Sequence, residues 1–166
     1  MDKAPRDKNM KVAIGADHGG FRLKQVMVGF ISSLGHEVMD LGAFKEVRSD
    51  DYPDFARAVA EAIIEGKADR GIIICGSGVG ASIAASKFPG IRAAVCHDSY
   101  SAHQGVEHDD MNVLCLGERI IGEELAKEIV SLYLQAGFSG ARRHTRRLEK
   151  VKKIEEEFMK PLDESS

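Results

Sequence analysis

No apolar run in the 166 residues approaches the length needed to cross a bilayer. The start "MDKAPRDKN" is polar and lacks the hydrophobic region of a secretory signal. The sequence therefore predicts a cytoplasmic protein without a membrane partner. Neither sign of charge dominates: 23 Lys and Arg stand against 26 Asp and Glu, for a net charge of −3. No broad basic surface is available to draw in nucleic acid through its field, so a nucleic-acid partner is not expected. Cysteine is scarce. The three residues, Cys75, Cys96 and Cys115, each sit at or near the end of a β-like run, and none has C-x-x-C spacing. Reduced thiols are expected, and no metal site is suggested by them. Internal repeats and low-complexity segments are also missing. What remains is a chain long enough to bury one core, read as a single domain.

Within that domain, apolar β-branched runs recur at 11–16, 36–42, 71–75, 91–96 and 111–117. Segments with helical spacing lie between and after them, at 21–34, 52–64, 81–88, near 99–107 and at 122–136. Strands that are apolar on both faces and alternate with helices imply a parallel sheet covered on both sides, because parallel strands need crossover connections. The expected fold class is α/β: a Rossmann-like three-layer αβα sandwich with a five-stranded parallel sheet and a C-terminal helix. Residues 1–10 and 161–166 read as disordered tails around a domain of 11–160. The charged stretch 149–166 reads as a helix that stops near Pro161. Right-handed crossovers bring the carboxyl ends of all the strands to one edge, where ligands bind in such sheets.

Three groups of residues carry chemistry. After the first strand comes Asp17-His18-Gly19-Gly20, in which Asp17 is either a helix cap with His18 an exposed loop residue, or both are part of a site. After the third strand comes "CGSGVG", Cys75 to Gly80. The amides of Gly76, Ser77, Gly78, Val79 and Gly80 leading into a helix N-terminus make a nest for an anion. The same field stabilises a thiolate, so Cys75 is a candidate base beside an anion hole; a small buried thiol ending a strand is the plainer account. Gly76-x-Gly78-x-x-Ala81 also fits a relaxed dinucleotide fingerprint, with Asp98 about twenty residues on as its acidic partner. That loop follows the third strand rather than the first, and the fingerprint leaves Cys75 without a role.

The third group is scattered. His97, Asp98 and Tyr100 follow the fourth strand, and "EHDDMN" supplies His108, Asp109, Asp110 and Asn112. Divalent-metal binding and helix capping both account for the acids, while a histidine such as His108 can serve as acid or base. In "GARRHTRRLEK", Arg143 and Arg147 share a helix face if the segment is helical, as do Arg142 and Arg146. Paired guanidiniums suit a phosphate, and a solvated basic face is the alternative.

Taken together, "ADHGG", "DYPDFA", "GIIICGSGVGASIAASKFPGIRAAVC", "YSA", "NVLCLGERIIG" and the arginine-rich tail resemble the B-type ribose-5-phosphate isomerases. These lie within the sugar-phosphate isomerase family that includes the galactose-6-phosphate isomerase subunits. The resemblance covers roughly residues 11–155. It implies a cofactor-free aldose–ketose isomerase of phosphorylated sugars, a step of the pentose phosphate pathway, acting as a homodimer or homotetramer with the site built from two subunits. In that family pattern Cys75 is the base, and the amides of Gly76 to Gly80 hold the enediolate. Ser77 stands where threonine is common, and Asp17 and His18 touch the sugar and its phosphate. His108 opens the furanose ring, Arg143 and Arg147 bind phosphate, and Arg119 assists. Family members commonly have asparagine where this chain has Asp109. A carboxylate there removes donors and adds negative charge near an enediolate, which raises four-carbon sugar phosphates, and hexose 6-phosphates, as alternative substrates. A nucleotide-dependent oxidoreductase and a non-catalytic sugar-phosphate binder are the alternatives of other classes.

Overall fold

The computed structural model describes residues 9–159. The alternation holds throughout: β1 (Lys11–Ala16), α1 (Phe21–Ser33), β2 (Glu37–Asp40), α2 (Tyr52–Ile64), β3 (Arg70–Cys75), α3 (Val79–Ala85), β4 (Ala93–Val95), α4 (Ser99–Asp109), β5 (Val113–Gly117), α5 (Glu123–Gln135) and α6 (Arg142–Phe158). All strand pairs are parallel, in the order β2-β1-β3-β5-β4. No helix among the described residues is long and apolar enough to cross a membrane.

The period of two along each central strand sorts its side chains into two cores. Val12, Ile14, Ile72, Ile74, Leu114 and Leu116 pack with Leu23, Met27 and Ile31 of α1, Val106 of α4, and Ile129, Val130 and Tyr133 of α5. Their neighbours Ala13, Ile73, Cys75, Val113 and Cys115 face the other layer, onto Ala56, Val59 and Ala60 of α2 and Ala81 and Ala85 of α3. Each fully buried Ile, Leu or Val contributes roughly 1.5–3 kcal/mol, so these contacts, more than helix propensity, hold the helices in place. The second core is the thinner one. A Cβ on Gly71 would meet Val59 Cγ1 at 2.5 Å, so a bare backbone there lets α2 settle onto the sheet.

The departures from the sequence reading have local causes. β2 and β4 are shorter than their apolar runs because each is an edge strand with one neighbour. α6 starts at Arg142 rather than 149: His144 and Leu148, four apart, are its buried residues and seat its first turns, and the helix packs against α4. Met10 lies inside the expected tail of 1–10 yet is buried, with its N–H donating to His36 Nδ1 at 3.1 Å. Residues 1–8 of that tail, the tail at 161–166 and the helix stop near Pro161 lie outside the described residues.

From β1 the chain moves outward to β2, then crosses back to lay β3 on the other side of β1. The loops after β1 and β3 therefore part at a switch point between adjacent strands, and the crevice between them is where such sheets take ligands.

Candidate active site

β3 ends at Cys75, and the chain turns through Gly76 and Ser77 into Gly78, whose φ of +80° is one that glycine adopts without strain. α3 begins at Val79, two residues ahead of the expected start, so Val79 and Gly80 form its first turn. The turn directs the Gly78 N–H at Cys75 Sγ, 3.1 Å away, and the Val79 N–H at Ser77 Oγ, 3.2 Å away. A donor aimed at sulfur interacts more strongly with a thiolate than with a thiol. Cys75 itself is nearly buried, whereas Ser77 is exposed.

Glycine contacts fix this loop against its neighbours. A Cβ on Gly20 would lie 2.3 Å from the Ile74 carbonyl oxygen, one on Gly19 3.0 Å from Gly76 N, and one on Gly117 2.7 Å from the carbonyl carbon of Ser77. The turns after β1, β3 and β5 thus approach one another backbone to backbone at these glycines. Glu118 N–H donates to the Cys75 carbonyl at 3.0 Å, and Arg119 N–H to that of Gly76 at 3.1 Å. The Arg119 guanidinium lies over Gly76, where a Cβ would be 3.2 Å from Cζ. His97, flagged by the sequence, has a supporting part: its Nε2 accepts the Gly117 N–H at 2.9 Å. Burial makes its ring harder to protonate, which suits an acceptor.

Asp17 and His18 stand at the mouth of the crevice. Asp17 is buried and its Oδ1 accepts the Gly19 N–H at 2.9 Å. Burial raises its pKa, and the positive charge of His18 works against that rise. His18 is half-exposed and paired with Asp50, a residue the sequence reading missed. Asp50 Oδ1 lies 2.9 Å from the His18 backbone N and 2.7 Å from Nδ1. That bond, more than the nearby carboxylate of Asp17, raises the pKa of His18, while Arg119 lowers it. Asp17, His18 and Asp50 each offer a ligand atom within 4.8 Å of the others, so a cation could be held here.

The remaining predicted residues lie elsewhere. α4 starts at the carboxyl edge, where Asp98 accepts the Ser101 N–H at 2.6 Å as its N-cap. Eleven residues later, about 16 Å on at 1.5 Å per residue, it ends at the amino edge with His108 and Asp109. Ser139 N–H donates to the Glu107 carbonyl at 3.0 Å, which brings the start of α6 to the same place. There His108 stacks on His144 at 3.9 Å between ring centroids, and Gln104 Nε2 lies 2.8 Å from His108 Nδ1. An amide nitrogen donates, so the His108 proton belongs on Nε2. His144 is buried, and burial first, then His108, Arg143 and Arg147, make it reluctant to protonate. Arg143, Arg147 and Asp109 are exposed. Asp110 forms the left-handed C-cap of α4, and its carboxylate pairs with Arg92 at 3.1 Å.

One chain thus holds two clusters at opposite edges of its sheet: Cys75, the nest, Asp17, His18 and Arg119 at one, and His108, Asp109, Arg143 and Arg147 at the other. The dinucleotide reading loses its acidic partner, because Asp98 caps α4 and β4 is separated from β3 by β5.

A thiol beside an amide nest at the switch point, with a second cluster of bases and guanidiniums, marks an α/β protein whose groups are of the kind that suit a small anion. The comparison with known proteins makes this specific. Residues 12–151 match the ribose/galactose isomerase family, to which this chain belongs. It is 49% identical over 146 residues to ribose-5-phosphate isomerase B of Escherichia coli, covering 88% of this chain and 97% of that protein. It is 43% identical over 131 residues to D-erythrulose-4-phosphate isomerase of Pectobacterium atrosepticum, covering 79% and 86%. A solved structure of ribose-5-phosphate isomerase B from Clostridium thermocellum superposes with a TM-score of 0.86 at 51% identity, covering 90% of this chain and 99% of that one. Membership of the family makes the chain a sugar-phosphate isomerase with the three-layer fold expected from its sequence.

Proposed function

We propose that the protein interconverts an aldose phosphate and its ketose, ribose 5-phosphate and ribulose 5-phosphate foremost, through an enediolate and without a cofactor. The observation that carries this reading is Cys75 Sγ at the mouth of the nest, receiving the Gly78 N–H at 3.1 Å. Cys75 as thiolate removes the proton from carbon 2 of the open-chain aldose, and the electron pair moves to the carbonyl oxygen. The amides of Gly76 to Gly80 stabilise that oxygen, and the proton returns from sulfur to carbon 1. Ser77, whose Oγ already accepts a backbone N–H, takes the hydroxyl proton from oxygen 2 while its own hydroxyl proton passes to oxygen 1, so that carbon 2 becomes the carbonyl and the serine is regenerated. Asp17 accepts a bond from a sugar hydroxyl, and His18 and Arg119 face the substrate's polar end.

His108, with its proton on Nε2, opens the furanose ring, and Arg143 and Arg147 bind the phosphate. These groups reach the Cys75 cluster from a second copy of the chain. Two observations support such a dimer: the clusters sit at opposite edges of one sheet, and α3 exposes Val79 and Ile83 beside the nest. Among the described residues neither Arg143 nor Arg147 has an acidic side chain within ion-pair distance, which leaves both for an anion.

A tetrulose phosphate is the second reading, favoured by Asp109 at the end of α4 and by the likeness to the erythrulose-4-phosphate enzyme. The test is isomerisation by the metal-free protein of ribose 5-phosphate, allose 6-phosphate and erythrulose 4-phosphate, ranked by kcat/KM, with Cys75→Ala as control. Preference for ribose 5-phosphate supports the first reading, and preference for the tetrulose supports the second. Full activity of Cys75→Ala removes the proposed base. Tight binding with no solvent deuterium entering the sugar would leave a binding protein instead.

A further inference from the structure

Asp50 lies in the loop between β2 and α2 and faces His18 across the crevice mouth. Its Oδ1 takes two hydrogen bonds from that one residue, from the backbone N–H at 2.9 Å and from Nδ1 at 2.7 Å. A carboxylate is acceptor-only, so Nδ1 carries a proton whether the ring is neutral or charged. The second oxygen, Oδ2, is buried and has no hydrogen-bond partner among the described residues. A shielded carboxylate with one oxygen unsatisfied is costly unless its other oxygen is well bonded, and the adjoining imidazole and backbone N–H groups supply those bonds. The charged and titratable groups that face His18 come from three elements: Asp17 from its own loop, Asp50 from the loop before α2, and Arg119 from the turn after β5. The two acids outweigh the one cation.

We propose that Asp50 is a positioning residue for the isomerase reaction: it locks the His18 ring with Nδ1–H inward and so presents the Nε2 edge to the phosphorylated substrate. The substrate half of this proposal rests on the reading that His18 contacts the sugar phosphate; the Asp50–His18 half does not. The geometry explains an acidic doublet, Asp50-Asp51, ahead of α2. Asp51 occupies the N-cap position and makes no side-chain capping bond, while Asp50 is turned inward to the histidine.

The experiment uses the full chain labelled with nitrogen-15 histidine, with His18→Gln to assign the signal. Asp50→Asn keeps the size and a carbonyl acceptor but removes the charge; Asp50→Ala removes both. In the parent protein the neutral His18 ring is expected to keep its proton on Nδ1. In Asp50→Ala the proton moves to Nε2, whereas Asp50→Asn, which keeps a carbonyl acceptor, holds it on Nδ1. An unchanged tautomer in Asp50→Ala overturns the proposal. Kinetics reads the second half: KM for the preferred sugar phosphate rises on the order of tenfold in Asp50→Asn, the loss expected when a charge-assisted bond becomes neutral, and kcat changes less. In a His18→Gln background Asp50→Asn should add little, and an independent multiplicative effect there overturns the coupling. If the protein turns over no sugar phosphate, the functional reading fails while the tautomer still decides the Asp50–His18 pair.

Discussion

His18 and His144 sit at opposite edges of the same sheet and have opposite tendencies. His18 lies between Asp17 and Asp50 and takes up a proton readily, whereas His144 is buried among His108, Arg143 and Arg147 and resists one. The surroundings differ in kind as well. The carboxyl edge is made of backbone: turns in glycine contact, amides aimed at a sulfur, and charges balanced within a few ångströms. The amino edge is made of side chains on two helices, stacked histidines beside exposed arginines and Asp109, and among the described residues Arg143 and Arg147 have no acidic side chain within ion-pair distance. One edge is built of fixed backbone and the other of adjustable side chains. The difference teaches that each edge holds groups the other lacks, which is the contrast the proposed two-subunit site is built on.

The sharpest way to break this contrast is at its rigid side. Cys75→Ala should lower kcat by about 10²–10⁴ or more, the usual contribution of a positioned base, while circular dichroism and melting stay close to the parent because only a sulfur is removed. Next in size is subunit complementation. Cys75→Ala and Arg143→Ala/Arg147→Ala should each be nearly inactive alone. Mixed one to one and reassociated, they should regain about a quarter of parental activity, since half of the random dimers are mixed and each holds one intact site of two. No recovery would mean that both clusters serve a site within one chain.

Gly117→Ala tests the mould itself. Its Cβ would fall 2.7 Å from the Ser77 carbonyl carbon, so a backbone must shift; a loss of about 1–3 kcal/mol by denaturant titration together with a fall in kcat is expected. At the adjustable edge the effect should be smaller and selective. Asp109→Asn should change the ratio of kcat/KM for ribose 5-phosphate and erythrulose 4-phosphate by on the order of tenfold in favour of the pentose, with melting unchanged.

The smallest effect concerns pH. His144 has a folded-state pKa below its unfolded value of 6.5, so the unfolded chain binds the proton more readily. Its contribution to stability is present above 6.5 and is lost as pH falls through the folded value. Thermal unfolding should therefore show stability declining below pH 6.5, with less decline in His144→Gln. Inorganic phosphate should offset part of it, because an anion beside Arg143 and Arg147 removes one reason for His144 to stay neutral.

Much of the fold was legible because β-branched runs and helical spacing alternate without interruption, and both faces of the central strands are apolar. Strand order was not legible: nothing in the run at 111–117 says that β5 inserts between β3 and β4. Asp98 lost its proposed nucleotide role for that reason, since its strand lies one place further from β3. The start of α6 was hidden because "ARRHTRR" offers only His144 and Leu148 to the interior, too sparse a pattern to register. Cys75, the glycine loop, Asp17 and His18 could be found because chemistry at a strand's carboxyl end is a topological expectation. His108 and the arginines were found as residue types suited to a phosphate, yet their edge depends on the length and direction of α4. Asp50 escaped because it lies in a loop without periodicity; the acidic doublet before a proline-bearing helix was the available signal. Gln104, four residues before His108, could have been found as its helical neighbour.

The contact between Gly117 and Ser77 also orders events in time. Because β5 is the last strand and lies beside β3 at the centre of the sheet, a nascent chain ending before residue 117 has β3 and β4 with a gap between them and a glycine loop resting on nothing. Cys75 is thus synthesised well before the last strand that flanks its own is available to pair with it.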